Sequence, residues 1–413
     1  MEAVHRTIEA VARVSYGRLV AHVATRTRDV TVAEDVLSAA FLAALTSWPR
    51  DGLPQKPEAW LLATARHRLI DQIRHERVRT ANTFTLQLLS EQSAAALAVD
   101  PFPDERLKLL FVCAHPAIDP SMHTPLMLQT VLGLDAAHIA RAFLVSPAAM
   151  GQRLVRAKAK IRAAAIAFDV PEDRELPPRL DAVLEAIYAA YGSGWEDATG
   201  TDARVRGFAD EAIWLARVLR QQMPEEPEVR GLLALILHCE ARRPARRAPD
   251  GRYVPLSEQD TQRWSISMLE EAERELAAAA QHARPGRFQL EAAIQSVHAE
   301  RVRSGRTDWR AIAGFYEHLV QLVPTLGALI GRAAAIAEVH GPAAGLALLE
   351  EIERKAVTLY QPYWAVRAHF LQRLGRTQDA CDACDHAIGL TADGAVRRFL
   401  RERRDSALSA SFA

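Results

Sequence analysis

Between Arg141 and Arg162 the chain sets six cations, Arg141, Arg153, Arg156, Lys158, Lys160 and Arg162, and no carboxylate. A run of this kind can neutralise several phosphates in succession, which is what holding a nucleic-acid backbone requires. A solvated helix face has the same composition. A second set, Arg66, Arg74 and Arg77, falls within roughly a quarter turn at 100° per residue. Trp60 precedes it, an aromatic able to stack on an unpaired base or to fill a core. Cys381-Asp-Ala-Cys384 has metal-ligand spacing. No second pair completes a zinc site and only His386 lies near in sequence, so these thiols read as packing groups. There is no P-loop, dinucleotide glycine pattern, nucleophile elbow or HExxH. The chain therefore reads as non-enzymatic, with no cofactor and no metal.

The frame around these residues is long and balanced. At 413 residues two or three domains are expected. Lys+Arg and Asp+Glu both total 51, so net charge names no partner. The balance is uneven along the chain: residues 1–168 hold 20 basic and 15 acidic residues, and the remainder is acidic by the same margin. Four cysteines, Cys113, Cys239, Cys381 and Cys384, are too few for a disulfide framework and fit a reducing compartment. Glu2, Arg6, Glu9 and Arg13 interrupt the N-terminus, which is unlike a signal peptide. No apolar run approaches the ~20 residues of a membrane span. The expectation is a cytoplasmic protein with no membrane partner.

The elements that must position the cations read as helices throughout. Val36, Leu37, Ala40, Phe41, Ala44, Leu45 and Trp48 form an amphipathic stripe, and Pro49, Gly52, Pro54 and Pro57 then predict a loop. A second helix runs from near Glu58 through Leu62, Leu69, Ile70 and Ile73 to about Arg79. Residues 80–103 read as a linker ending in Asp100-Pro-Phe-Pro103. A helical unit follows from Asp104 to Phe168, and Pro171, Pro177 and Pro178 mark the next boundary. From there amphipathic helices succeed one another, with the longest break over residues 243–257. The fold class is all-α, with residues 169–413 an α-solenoid.

The cationic run lies inside a helix-turn-helix pattern, Leu134 to Pro147 followed by a second helix. Ile139, Ala140 and Phe143 would face inward from the first helix. Ser146-Pro147 is a good start for the second. In that helix Met150, Leu154, Ala157 and Ile161 make a core stripe, leaving Gln152, Arg153, Arg156, Lys158, Lys160 and Arg162 on the rest of its surface. That division is what a recognition helix needs. Leu144 occupies the turn where glycine is common, and Gly151 costs the helix about 1 kcal/mol.

In this order the motifs resemble the extracytoplasmic-function sigma factors of the sigma-70 family. Ala33-Glu-Asp-Val-Leu-Ser-Ala-Ala-Phe-Leu-Ala-Ala-Leu-Thr-Ser-Trp-Pro49 resembles the region 2 helix that docks on the clamp of RNA polymerase. Glu58-Ala-Trp-Leu-Leu-Ala-Thr-Ala-Arg-His-Arg-Leu-Ile-Asp-Gln-Ile-Arg74 resembles the helix that meets the −10 element. Gly133–Arg162 resembles region 4, which reads the −35 element and touches the polymerase flap. The resemblance implies polymerase contacts at Glu34, Asp35, Phe41, Leu45 and Trp48. It implies −10 contacts at Trp60, Arg66, His67, Arg74 and Arg77, and −35 contacts at Gln152, Arg153, Arg156, Lys158 and Lys160. Glu34 and Asp35 also sit where they would offset a helix dipole. His67 stands where many relatives have asparagine, and Ala149 where threonine is common.

The implied domains are residues 1–79 (region 2), 80–103 (linker), 104–168 (region 4) and 169–413 (extension). The implied partners are the bacterial RNA polymerase core, promoter DNA and, for the extension, a protein or an intramolecular contact. Trp364, Ala368, Leu371, Gly375, Ala380, Cys384, Ala387 and Ala392 fall at offsets resembling a tetratricopeptide repeat, although Arg367 and Ala392 depart from it. Asp104-Glu-Arg-Leu107, Cys113-Ala-His-Pro116, Gly231-Leu-Leu-Ala-Leu235, Glu258-Gln-Asp260 and Thr307-Asp-Trp309 resemble strings of a sigma subgroup bearing such an extension. Two other readings remain: a conventional helix-turn-helix regulator with a repeat sensor, and a repeat scaffold with no nucleic-acid role.

Overall fold

A computed structural model describes residues 2–79, 105–143, 145–171, 175–196 and 203–411. The expected linker, Asp104 and Leu144 lie outside the described residues. The protein is all-α. Among the described residues there are twenty α-helices and four short 3-10 helices, and the sole β feature is an isolated bridge between Arg247 and Tyr253. The chain forms two compact units, Met1–Ser193 with Gly207–Leu215, and Gly194–Arg206 with Ala216–Ala413.

The first unit begins with α1 (Glu2–Thr27), α2 (Val30–Asp51) and α3 (Pro57–Arg79). The turn between α1 and α2 is tight, with Arg28 at φ 55° and Asp29 capping α2 through the amides of Thr31 and Val32. Pro49, expected to begin a loop, lies inside the last turn of α2, which runs on to Asp51. There it forfeits a single intrahelical bond before the helix ends anyway. By length and composition α2 could cross a membrane. Here its apolar stripe, Val30, Ala33, Val36, Leu37, Ala40, Ala44 and Trp48, is buried in the unit.

The cationic region follows as α4 (Arg106–Cys113), α5 (His123–Thr130), α6 (Ala136–Ala142) and α7 (Pro147–Ala163). α1 packs on α2 and α3 and also on α4 and α5. Leu19, Val20, Ala21, Val23 and Ala24 are consequently without solvent exposure. Gly17 makes this possible, because a Cβ there would lie 1.7 Å from the carbonyl oxygen of Val131. α8 (Leu176–Glu196) and α9 (Ala203–Gln222) come next, and α9 contributes residues to both units.

The second unit continues with α10 (Pro227–Ala241), α11 (Ile266–Ala280), α12 (Arg287–Ala299), the short α13 (Arg301–Ser304), α14 (Trp309–Leu322), α15 (Leu326–His340) and α16 (Pro342–Glu350). It ends with α17 (Arg354–Val357), α18 (Gln361–Arg373), α19 (Thr377–Leu390) and α20 (Gly394–Ser411). Successive helices pack on their sequence neighbours, α10 on α11 and α12, α14 on α15, α15 on α16, α18 on α19, and α19 on α20. The turns at Gly341 and Gly375 use positive φ, 95° and 72°, where L side chains are strained. Glu228 caps α12 from α10 by accepting from the amides of Phe288 (2.8 Å) and Gln289 (3.2 Å).

Residues 242–265 are a folded strap, where the sequence suggested only a break. Three short 3-10 turns and the Arg247–Tyr253 bridge shape it. Arg301 anchors it by donating to the carbonyls of Leu256 (2.8 Å) and Gln259 (2.9 Å). Its far end meets α20, where Arg247 pairs with Asp393 and the Tyr253 ring meets Phe399 edge-on at 5.3 Å.

Candidate nucleic-acid and polymerase interface

α7 is built as its sequence requires. The Ser146 hydroxyl accepts from the Ala149 amide at 3.2 Å, and Pro147 occupies the first turn. Met150, Leu154, Ala157 and Ile161 are buried. Gln152, Arg153, Arg156, Lys160 and Arg162 are exposed. Val155 is 67% exposed among them, an apolar side chain that charge counting passed over. Ile139 and Ala140 of α6 are buried, but Phe143 is 37% exposed, because α6 ends at Ala142 and the ring falls outside the packed face. The side chain of Arg141 is outside the described residues.

Lys158 departs from expectation. Its Nζ lies 2.5 Å from Glu34 Oε2, and the two side chains keep only 11% and 17% exposure. Burial is the main influence on Glu34 and pushes its carboxyl upward, with Lys158 acting in the opposite sense. Arg162 Nη1 adds a looser approach to Asp29 at 3.4 Å. A cation expected on DNA and a carboxylate expected on polymerase are thus paired with each other.

On α2, Asp35 is exposed, and Leu45 is partly so. Phe41 is half-buried, its ring tilted against Tyr16 at 6.3 Å. Trp48 is a correction. It is 2% exposed and packed edge-on against Trp60 at 5.4 Å, so it can offer no docking surface. Leu42, 65% exposed, instead joins Leu45 on the outer face of α2, and Leu53 is exposed just beyond the helix. The amphipathic stripe could not show which of its edges a neighbouring helix would cover.

On α3, Trp60 is half-buried by that ring contact, so its packing role is real and only part of the indole is open. Arg66 is half-buried, and His67 and Arg68 are exposed. The side chains of Arg74 and Arg77 lie outside the described residues. Glu58 at the head of α3 accepts from Arg18 at 2.7 Å and from the Ser15 hydroxyl, fixing the helix to α1.

The strings that resemble the sigma subgroup have structural work. Arg106 pairs with Glu211 and lies over the Trp214 ring at 4.1 Å. Cys113 contacts the Thr130 hydroxyl at 3.4 Å, and burial pushes its thiol up to about 12. At Gly231 a Cβ would meet the Gln289 amide at 2.7 Å. Asp308 caps α14, and Trp309 meets His298 edge-on at 5.4 Å. Cys381 and Cys384 are buried in α19, and burial raises both thiols. Among the described residues no group of three or more His, Cys, Asp or Glu is placed to hold a metal.

The first unit thus exposes apolar side chains on α2 and a row of cations on α7. Residues 13–79 match the family Sigma-70 region 2. That match supports a sigma-70 family factor, a class of non-enzymatic transcription initiation factors that bind core RNA polymerase and promoter DNA. Residues 179–280 match a family of unknown function, DUF6596. Over 383 residues the chain is 37% identical to an uncharacterized protein of Rhizobium meliloti (strain 1021), covering 92% of this chain and 90% of that one. No solved structure matches.

Proposed function

We propose that this sigma factor is of the extracytoplasmic-function type and acts in the cytoplasm. In this reading residues 1–79 engage the polymerase clamp and the −10 element. Residues 104–168 read the −35 element, and residues 169–413 form a tetratricopeptide-like regulatory extension.

The observation that carries the reading is the division of α7: one stripe buried, and Gln152, Arg153, Val155 and Arg156 bare on the opposite side. Such a helix can enter a major groove with donors for base edges and cations for phosphates. The exposed apolar side chains of α2, Leu42 and Leu45, with Leu53 just beyond its end, favour a sigma factor over a conventional regulator, which would have no use for them.

The test is initiation by a sigma-free bacterial core polymerase on a promoter library. Specific initiation that disappears with Arg153→Ala plus Arg156→Ala supports the reading. A chain that neither binds core nor initiates, with or without residues 169–413, leaves the conventional regulator in its place.

A further inference from the structure

The strap and α20 concentrate charge in a way the rest of the extension does not. Residues 242–264 and 394–411 together carry eleven arginines and five carboxylates. The remainder of residues 169–413 carries 20 basic and 31 acidic residues. Part of this charge is taken up inside the fold, since Arg242 is buried, Arg243 pairs with Glu240 and Arg247 with Asp393. The exposed remainder makes a basic surface on an otherwise acidic module, the electrostatic mark of a polyanion site.

The two segments meet in space through Arg247–Asp393 and Tyr253–Phe399. The nearby carboxylates are largely engaged. Asp250 pairs with Arg252 at 2.6 Å, Arg404 takes Asp385 and Asp405, and Glu402 lies close enough to Arg252 to favour its charge. Among the described residues, five guanidinium groups of these segments have no carboxylate partner. Arg263 donates to the Arg247 carbonyl, Arg397 to the Thr391 carbonyl, and Arg403 lies against His369 Nδ1. Arg398 and Arg401 are exposed.

Helical geometry orders the cations on α20. Leu400 and Ala407 are buried and Phe399 is held by Tyr253, which fixes the inner face. At 100° per residue Arg397, Arg398, Arg401 and Arg404 then share an outward arc of about 120°, in which the one carboxylate, Asp405, is paired with Arg404. They span about 10 Å along the axis, roughly three 3.4 Å steps of a DNA strand. The residue type matters too, since the planar fork of arginine suits phosphate oxygens better than a point charge.

We infer that the outer face of α20, with the adjoining strap, is a second DNA-binding surface that grips the phosphate backbone of duplex DNA without reading its sequence. It belongs to the second unit, whereas α7 belongs to the first. Resting on the function proposed above, it adds affinity for promoter DNA.

The experiment uses the full chain and a fluorescent 30-base-pair duplex without promoter sequence, titrated across a range of KCl concentrations. Arg398→Ala with Arg401→Ala removes exposed side chains and should leave the thermal midpoint unchanged. The expected result is about a tenfold loss of affinity and a log-affinity against log-salt slope shallower by about 2. A photo-crosslinking residue at position 401, in the complex with core polymerase and promoter DNA, should label DNA. Unchanged affinity and slope, or crosslinks to a polymerase subunit alone, would overturn the inference. Loss of binding in Arg153→Ala plus Arg156→Ala under the same conditions leaves the α7 reading intact whichever result α20 gives.

Discussion

Val155 isolates what a single side chain can add to recognition. Arginine and lysine on α7 supply attraction to any duplex, so they cannot by themselves choose one. A bare valine between Gln152 and Arg156 can choose, because the thymine methyl is the apolar mark in the major groove. Val155→Ala should leave the core intact, since the side chain is on the solvent face. It should weaken binding to a −35 duplex by about tenfold while leaving non-specific binding unchanged. Fluorescence anisotropy on matched and scrambled duplexes makes the comparison. Equal loss on both duplexes would assign Val155 a structural role instead.

At the scale of elements, the pair Lys158–Glu34 joins α7 to α2 across 124 residues of sequence. Removing the cation alone leaves a largely buried carboxylate without a partner, so Lys158→Ala should cost about 2 kcal/mol. Lys158→Met with Glu34→Leu should recover most of it, because the desolvation penalty then disappears along with the attraction. Urea midpoints of Lys158→Met, Glu34→Leu and the double variant give the coupling. Additivity would show that the contact carries no energy. Gly17 makes the same junction sterically. Gly17→Leu has no room against the Val131 carbonyl and should cost at least about 3 kcal/mol, read from the same denaturation curves.

What the sequence made legible follows from the range of each interaction. The buried stripe Met150, Leu154, Ala157 and Ile161, the Ser146 cap and the turns at Gly341 and Gly375 are local, decided by helical period and backbone preference. Trp48 and Lys158 were misplaced because their partners, Trp60 and Glu34, lie outside any local window. The strap was missed for the same reason. Its proline and glycine content marks a break in helix, but its anchors are Arg301, Asp393 and Phe399. Of the candidate site, the cationic helix was readable from composition, whereas the outer apolar face of α2 needed the neighbouring helices.

For the whole molecule, buried histidines set a common limit on acid tolerance. His22 in the first unit is lowered to about 4 by burial, then by Arg26 and Arg18. In the second unit His238 is lowered to about 3 by burial and Arg242, and His298 to about 3 by burial, Arg242 and Arg301. Glu273 Oε1 lies 3.5 Å from His238 Nε2, but that carboxylate is nearly half exposed, and burial prevails. All three rings are held neutral in the fold, whereas in the unfolded chain they take up a proton near pH 6.5. The stability from their neutral state is therefore complete above about pH 6.5 and declines as pH falls toward the folded values. At pH 5, His238 alone should account for about 2 kcal/mol of lost stability. With two such rings against one, the second unit should weaken more steeply than the first. Calorimetry between pH 7.5 and 5 should show a falling midpoint. His238→Phe, which keeps the ring volume and cannot be protonated, should flatten the slope. A midpoint independent of pH in the wild-type chain would mean that these rings gain their protons without opening the fold.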